Sequence, residues 1–311
     1  MATMKTLNGY GFNATELNGK TSDSYLQKTD TASDTSKLGG KAPEYYIQPR
    51  NLLDNSDFRN PVNQRGATSY RGTSYTIDRW WMQTDTGTAS IGDNGLTLAT
   101  NDSTSCKIVQ YVEKLDINKV YTFVIKDTSE NVYLIHSVPN GRNEEKTSFG
   151  SMIANTTNIN DKNASAFSIS LDLGTTITLA WAALYEGSYT ADTLPPYVPK
   201  GYAAELAECR RYFVVLSGNL IGIAHPYTTN DVYMTLYMPT KMRRKPTVEL
   251  TYLRISNNNY ITDSDASISS VDNMNTHNTA ITFFANTSST LTLGRLYGVS
   301  TTGGIYISAD L

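Results

Sequence analysis

Beyond residue 48, apolar and polar residues alternate with period two along much of the chain. Phe167, Ile169, Leu171 and Leu173 are separated by Ser168, Ser170 and Asp172; past Gly174-Thr175-Thr176, Ile177, Leu179, Trp181 and Ala183 are interleaved with Thr178, Ala180 and Ala182. Successive side chains of a strand point to opposite faces, so each run predicts a strand with one buried face. The Gly-Thr-Thr between them predicts a hairpin, with Trp181 on the core side. Another hairpin is predicted where Val120–Ile125 and Val132–Ile135, rich in β-branched and aromatic residues, flank the polar run from Asp127 to Asn131. The pattern returns with Val232, Met234, Leu236 and Met238 against Tyr233, Thr235 and Tyr237, then with Val248, Leu250 and Tyr252, and with Ile305, Ile307 and Ala309 after Gly303-Gly304. One stretch has helical spacing: Tyr202, Leu206, Cys209 and Phe213, with Glu205 and Glu208 ahead of Arg210 and Arg211 as the helix dipole favours. That helix is expected to dock on a neighbouring sheet.

Short strands without intervening helices predict a mainly β protein. Its expected parts are an extended N-terminal arm over residues 1–48, a central β-sandwich of jelly-roll type over 49–200, and a helix leading into a C-terminal β-sandwich over 201–311. Three prolines between Leu194 and Pro199 mark the boundary between the last two. In the arm, Leu17, Gly19 and Lys20 with Tyr25 recur 21 residues later as Leu38, Gly40 and Lys41 with Tyr46. Each copy carries too little apolar surface for a core of its own, so neighbouring chains are expected to supply the missing contacts.

Composition narrows the function. The 311 residues carry 26 Lys and Arg against 29 Asp and Glu, a net charge of -3, which gives no basic field for nucleic acid or an anionic membrane. Charged residues are 18% of the chain while tyrosine alone counts 21, so polarity comes from Asn, Ser and Thr. No apolar run approaches the roughly 18 residues of a membrane-crossing helix, so no membrane insertion is expected. The two cysteines, Cys106 and Cys209, are far apart and lack metal-ligand neighbours, which predicts buried free thiols and no metal site.

Two segments carry a family resemblance. NLLDNSDFRNPVNQRG at residues 51–66, followed by Tyr75-Thr76-Ile77-Asp78-Arg79-Trp80, resembles the opening of a carbohydrate-binding-module-like jelly roll in bacteriophage tail-fibre and receptor-binding proteins. Leu179 to Gly187, the proline-rich exit and the helix Ala204-Glu205-Leu206 with Cys209 and Arg211-Tyr212 are similar to the end of the same module. The N-terminal repeats and the stretch from Met238 to Val248 are weaker matches, and Trp81 departs from the usual polar residue at its position. The resemblance implies a homotrimeric virion protein displayed on the particle exterior. Its arm would join other tail, baseplate or capsid proteins, and its distal domains would recognise a bacterial surface polysaccharide without catalysis or cofactor. The alternatives are a head, collar or baseplate fibre without receptor duty, and a polysaccharide depolymerase.

Residue chemistry favours binding over catalysis. His136, His225 and His277 are the only imidazoles, none beside a nucleophile motif, and neither G-x-S-x-G nor H-E-x-x-H occurs. A carboxylate pair for glycoside hydrolysis leaves no trace in sequence. Asp78-Arg79-Trp80 offers a ring for sugar stacking, although a strand-borne Trp beside an acid and a base fits a core anchor with a local ion pair better. Tyr233 and Tyr237 share the face opposite the aliphatic residues of their strand and meet either a glycan or another subunit, the subunit being preferred. The basic run Lys241, Arg243, Arg244 and Lys245 is read as a solvated loop, with an acidic polymer as its functional alternative.

Overall fold

The computed structural model describes residues 16–17, 20–21, 49–83, 87–101, 106–157, 164–250, 253–256, 266–276, 279–288 and 290–310. The chain divides into two units, Met1–Pro49 and Arg50–Leu311. In the first, β1 (Glu16–Leu17) and β2 (Lys20–Thr21) pair antiparallel with Leu17 opposite Lys20. The other repeat residues, Gly19, Tyr25, Leu38, Gly40, Lys41 and Tyr46, lie outside the described residues.

The second unit is mainly β, with two large hydrophobic cores and a smaller cluster among the described residues. Around the first core, one six-stranded sheet runs in the order β10 (Val132–His136), β9 (Tyr121–Asp127), β14 (Thr176–Glu186), β7 (Gly95–Ala99), β6 (Thr88–Gly92) and β3 (Ser69–Arg71). The facing sheet runs β11 (Arg142–Thr147), β12 (Gly150–Asn155), β13 (Ala164–Leu171), β8 (Cys106–Glu113), β5 (Trp81–Gln83) and β4 (Ser74–Tyr75). Every pairing is antiparallel, and the inner faces meet around Phe58, Trp80, Phe123 and Phe167, each fully buried. The β9–β10 hairpin forms as the pattern predicts. Its turn is fixed by Asp127, whose Oδ1 accepts the amides of Ser129 and Asn131 at 2.9 Å each.

The other expected hairpin does not form. Both strands exist, but β13 pairs with β12 and β8 in one sheet while β14 pairs with β7 and β9 in the other. Residues 172–175 cross between the sheets, held by Asp172 N–H to the Phe149 carbonyl at 2.9 Å and Gly174 N–H to the Asn101 carbonyl at 3.0 Å. Phe167, Ile169 and Leu171 thus approach the core from one side and Ile177 and Leu179 from the other. The alternation also breaks within β14. A bulge between Leu179 and Trp181 shifts the register, so Ala182 and Leu184 continue the inner face. Trp181 turns outward, against expectation, and stacks on Tyr197 of the proline-rich exit with ring centroids 4.5 Å apart.

After α1 (Tyr202–Cys209) the second core begins. Its strands are β15 (Phe213–Pro226), β16 (Asp231–Tyr237), β17 (Thr247–Leu250), β18 (Leu253–Ser256), β19 (Ala266–Thr276), β20 (Ala280–Thr287) and β21 (Tyr297–Ser308). They run β15-β16-β20-β19-β18-β21, and β21 pairs back onto β15, so this single sheet closes on itself into a β-barrel. β17 pairs with β21 beside β18, prolonging the barrel wall there. Closure leaves the strands of the barrel paired on both sides, which removes the free edges on which sheets aggregate. Val232, Met234 and Leu236 are fully buried, as their alternation predicts.

Candidate functional site

The two segments that carry the family resemblance meet in space, at the junction of sandwich and barrel. Asn55, held at a positive φ of 51°, donates through Nδ2 to the carbonyls of Val62 and Asp78 at 2.8 and 2.7 Å, while its Oδ1 accepts Val62 N–H at 2.7 Å. Its own N–H donates to Oε2 of Glu205 on α1 at 2.6 Å, and its carbonyl accepts Nε1–H of Trp80 at 2.9 Å. Asp54 accepts from Arg79 and Lys200 at 3.2 Å each. Burial would raise the Asp54 carboxyl, but Arg79 and Lys200 outweigh it and hold the group below its ordinary range. The Arg79 guanidinium carbon lies 3.4 Å from the ring centroid of Tyr212, just past α1.

This geometry corrects several expectations. Trp80 is fully buried, with Phe58 against its edge at 5.2 Å, so its ring presents no face to a sugar. The accessible ring is the next one: Trp81 is half-buried on the outer face and meets Tyr75 edge-on at 4.9 Å. Asp78 and Arg79 do not pair with each other; Asp78 pairs with Arg65 at 2.9 Å and Arg79 with Asp54. The helix buries Glu205 and Cys209 while Tyr202 faces solvent, and Phe213 opens β15. In the basic run, Lys241 and Lys245 are exposed, but Arg243 pairs with Glu113 of the sandwich and Arg244 donates to the Asp310 carbonyl.

A different arrangement is open to a ligand. On the outer wall of the barrel the register sets His225 of β15 opposite Tyr233 of β16, and Tyr233 opposite Phe284 of β20. Tyr233 meets Phe284 edge-on at 5.1 Å, and Tyr227 approaches the same ring at 5.9 Å. Tyr227 is 71% exposed, Tyr233 41% and Tyr237 66%. Tyr237 lies four residues along β16, about 13 Å from Tyr233, so it shares the face without joining the cluster. The 227–231 turn that carries Tyr227 is braced by Thr228 Oγ1–H to Oδ2 of Asp231 at 2.6 Å and by Tyr227 N–H to the Asp231 carbonyl at 2.8 Å. Thr235 and Thr282 continue the wall, Asp231 shares the face of β16 with Tyr233, and Asp272 of β19 is paired in register with Phe284. Sequence reasoning singled out Tyr233 and Tyr237 but missed Tyr227 and Phe284. The adjacent pair Phe283-Phe284 carried the signal, because consecutive strand residues must face opposite sides.

Clefts also open elsewhere on the described surface, and two of them have distinct linings. One, of about 260 Å³ at the end of the sandwich, is lined by Asp127, Tyr133, Ser148, Phe149 and Thr175; its polar atoms are engaged with one another, Tyr133 Oη lying 3.3 Å from Ser148 Oγ. The other, of about 250 Å³, lies between α1 and β8, where Arg50, Glu208 and Arg211 flank the Arg79–Tyr212 stack. Among the described residues no group of three or more His, Cys, Asp or Glu side chains is set to hold a metal ion. No family model, curated protein or solved structure matches the chain.

Proposed function

We propose that the protein is a bacteriophage virion component, a tail fibre or receptor-binding protein, that binds a bacterial surface glycan without catalysis. The observation that carries this reading is the exposed aromatic cluster of Tyr227, Tyr233 and Phe284, with Tyr237 beyond it, on the outer barrel wall. Tyrosine rings stack on the apolar faces of sugars while their hydroxyls and neighbouring threonines bond sugar hydroxyls. Such contacts are individually weak, and a homotrimer would convert them into avidity. The resemblance of residues 51–80 and 179–213 to phage fibre modules supports the same reading, with the N-terminal repeats as the attachment to other virion proteins.

The test is binding of the full chain to purified walls and surface polysaccharides from a panel of bacteria, with released reducing ends followed in parallel. Binding without release supports the proposal. Sustained release replaces it with a depolymerase, and no binding leaves a purely structural fibre. The same wall also suits contact between subunits, since aromatic residues are enriched at protein interfaces. Light scattering on Tyr227→Ser and Tyr233→Ser variants separates the two: a fall in mass assigns the wall to the oligomer, and lost binding at unchanged mass assigns it to the glycan.

A further inference from the structure

Two buried carboxylates share one guanidinium where sandwich and barrel meet. Arg65 donates through Nη1 to Oδ1 of Asp78 at 2.9 Å and through Nη2 to Oδ2 of Asp310 at 2.8 Å. Its guanidinium carbon lies 3.8 Å from the ring centroid of Phe213 and 4.8 Å from that of Tyr75. Arg65, Tyr75 and Asp78 belong to the sandwich, Phe213 and Asp310 to the barrel, so the cluster exists only while the two are docked. The Asp78 and Asp310 side chains are 1% and 6% exposed. Asp78 Oδ2 also accepts Gln64 Nε2–H at 2.8 Å and Asp310 Oδ2 accepts Ser308 Oγ–H at 3.1 Å, whereas Oδ1 of Asp310 has no hydrogen-bond partner among the described residues.

The neighbouring charges make their hydrogen bonds elsewhere, although Arg79 also acts on Asp310 through space. Arg79 is engaged by Asp54 and the Tyr111 carbonyl, and Arg243 by Glu113 and the Ala309 carbonyl. Lys200 lies between Asp54 and Glu205. Arg244, at the exposed edge, reaches only the main-chain carbonyl of Asp310. Tyr70 and Cys209, which also lie near Asp78, are pushed up by burial and stay neutral in the acid range. Among the described residues Arg65 is the cation hydrogen-bonded to both Asp78 and Asp310, and with both ionised the second charge is offset only in part, by Arg79 acting on Asp310 through space.

We propose that closure of this junction takes up a proton, shared by Asp78 and Asp310 across Arg65, so that mild acidification tightens the docking of the barrel on the sandwich. Burial pushes the Asp78 carboxyl up to about 6, with Arg65 offsetting only part of the effect, and pushes Asp310 up for the same reason. A carboxyl with a higher pKa in the closed state than in water favours closure as the pH falls. The gain begins as the pH drops through about 6 and is complete below the ordinary value of 3.8. Asp78 alone then raises the folding constant about tenfold between pH 7 and pH 5.

The test is urea unfolding of the full chain at pH 7 and pH 5, comparing the unaltered protein with Asp310→Asn, Asp78→Asn and, as a control at an exposed carboxylate, Asp172→Asn. Asp310→Asn removes one of the two buried charges around Arg65, so it is expected to be more stable than the unaltered protein at pH 7 and to lose about tenfold of the gain on going to pH 5. The control keeps that gain. The double Asp78→Asn/Asp310→Asn variant leaves Arg65 without a counter-ion and falls below either single variant at pH 7. If Asp310→Asn does not fold, Asp78→Asn decides by the same two criteria. A single variant that keeps the full gain, or that is less stable at pH 7, overturns the proposal.

Discussion

The main-chain amide of Asn55 donates to the carboxylate of Glu205 at 2.6 Å, joining residues 150 positions apart. Burial raises the Glu205 carboxyl, and Lys200, 3.9 Å away, together with the Asn55 amide offsets part of that cost. The bond ties the first loop of the sandwich to the only helix among the described residues. Glu205→Ala strands the Asn55 amide in a buried setting and is expected to cost about 1–3 kcal/mol. Glu205→Gln keeps an acceptor and should lose less, a difference that urea denaturation of the two variants resolves.

The crossing of the chain between sheets is tested at Gly150. A Cβ there would sit 2.3 Å from the Ser170 carbonyl oxygen and 2.8 Å from the Asp172 nitrogen, because β12 lies directly against β13. Gly150→Ala should therefore destabilise the protein by about 1–3 kcal/mol. An added carbon at Gly92 meets nothing closer than 3.9 Å, so Gly92→Ala should stay within about 0.5 kcal/mol of the parent. Equal thermal shifts for the two would contradict the β12–β13 pairing.

Both thiols are buried and free, and burial pushes Cys106 up to about 11 and Cys209 higher still. In the native protein at pH 8 neither should react with a thiol-specific disulfide reagent. Two equivalents should react once urea unfolds the chain. A rapidly reacting thiol in the native state would show that one of these sites is open.

Aromatic residues on the wall and in the core should separate cleanly. Tyr233→Ser and Tyr237→Ser remove exposed rings and are expected to leave the urea midpoint nearly unchanged, within about 0.5 kcal/mol. Loss of glycan binding at that unchanged stability would assign the proposed contact. Trp80→Ala empties a fully buried site and should cost about 3–5 kcal/mol. If Trp80→Ala instead folds normally and weakens only binding, the core role assigned to Trp80 is wrong.

What the sequence determined by itself was local. Period-two alternation identified β9, β10, β13, β14 and β16 and the buried side of most of them, because the face of a strand residue depends only on its parity. The same rule put Tyr233 and Tyr237 outside and Val232, Met234 and Leu236 inside. Tertiary structure decided which strands pair. An apolar face is buried equally well beside its chain neighbour or across the core from it, and the choice of opposite sheets for β13 and β14 rests on contacts with Phe149, Thr100 and Asn101 far away in the chain. The bulge before Trp181 then reversed its parity, which no local pattern records. Charge followed the same division. Asp78 and Arg79 read as a local ion pair and Arg243 as part of a solvated loop, and only tertiary structure gave them the partners Arg65, Asp54 and Glu113 that make them buried charges.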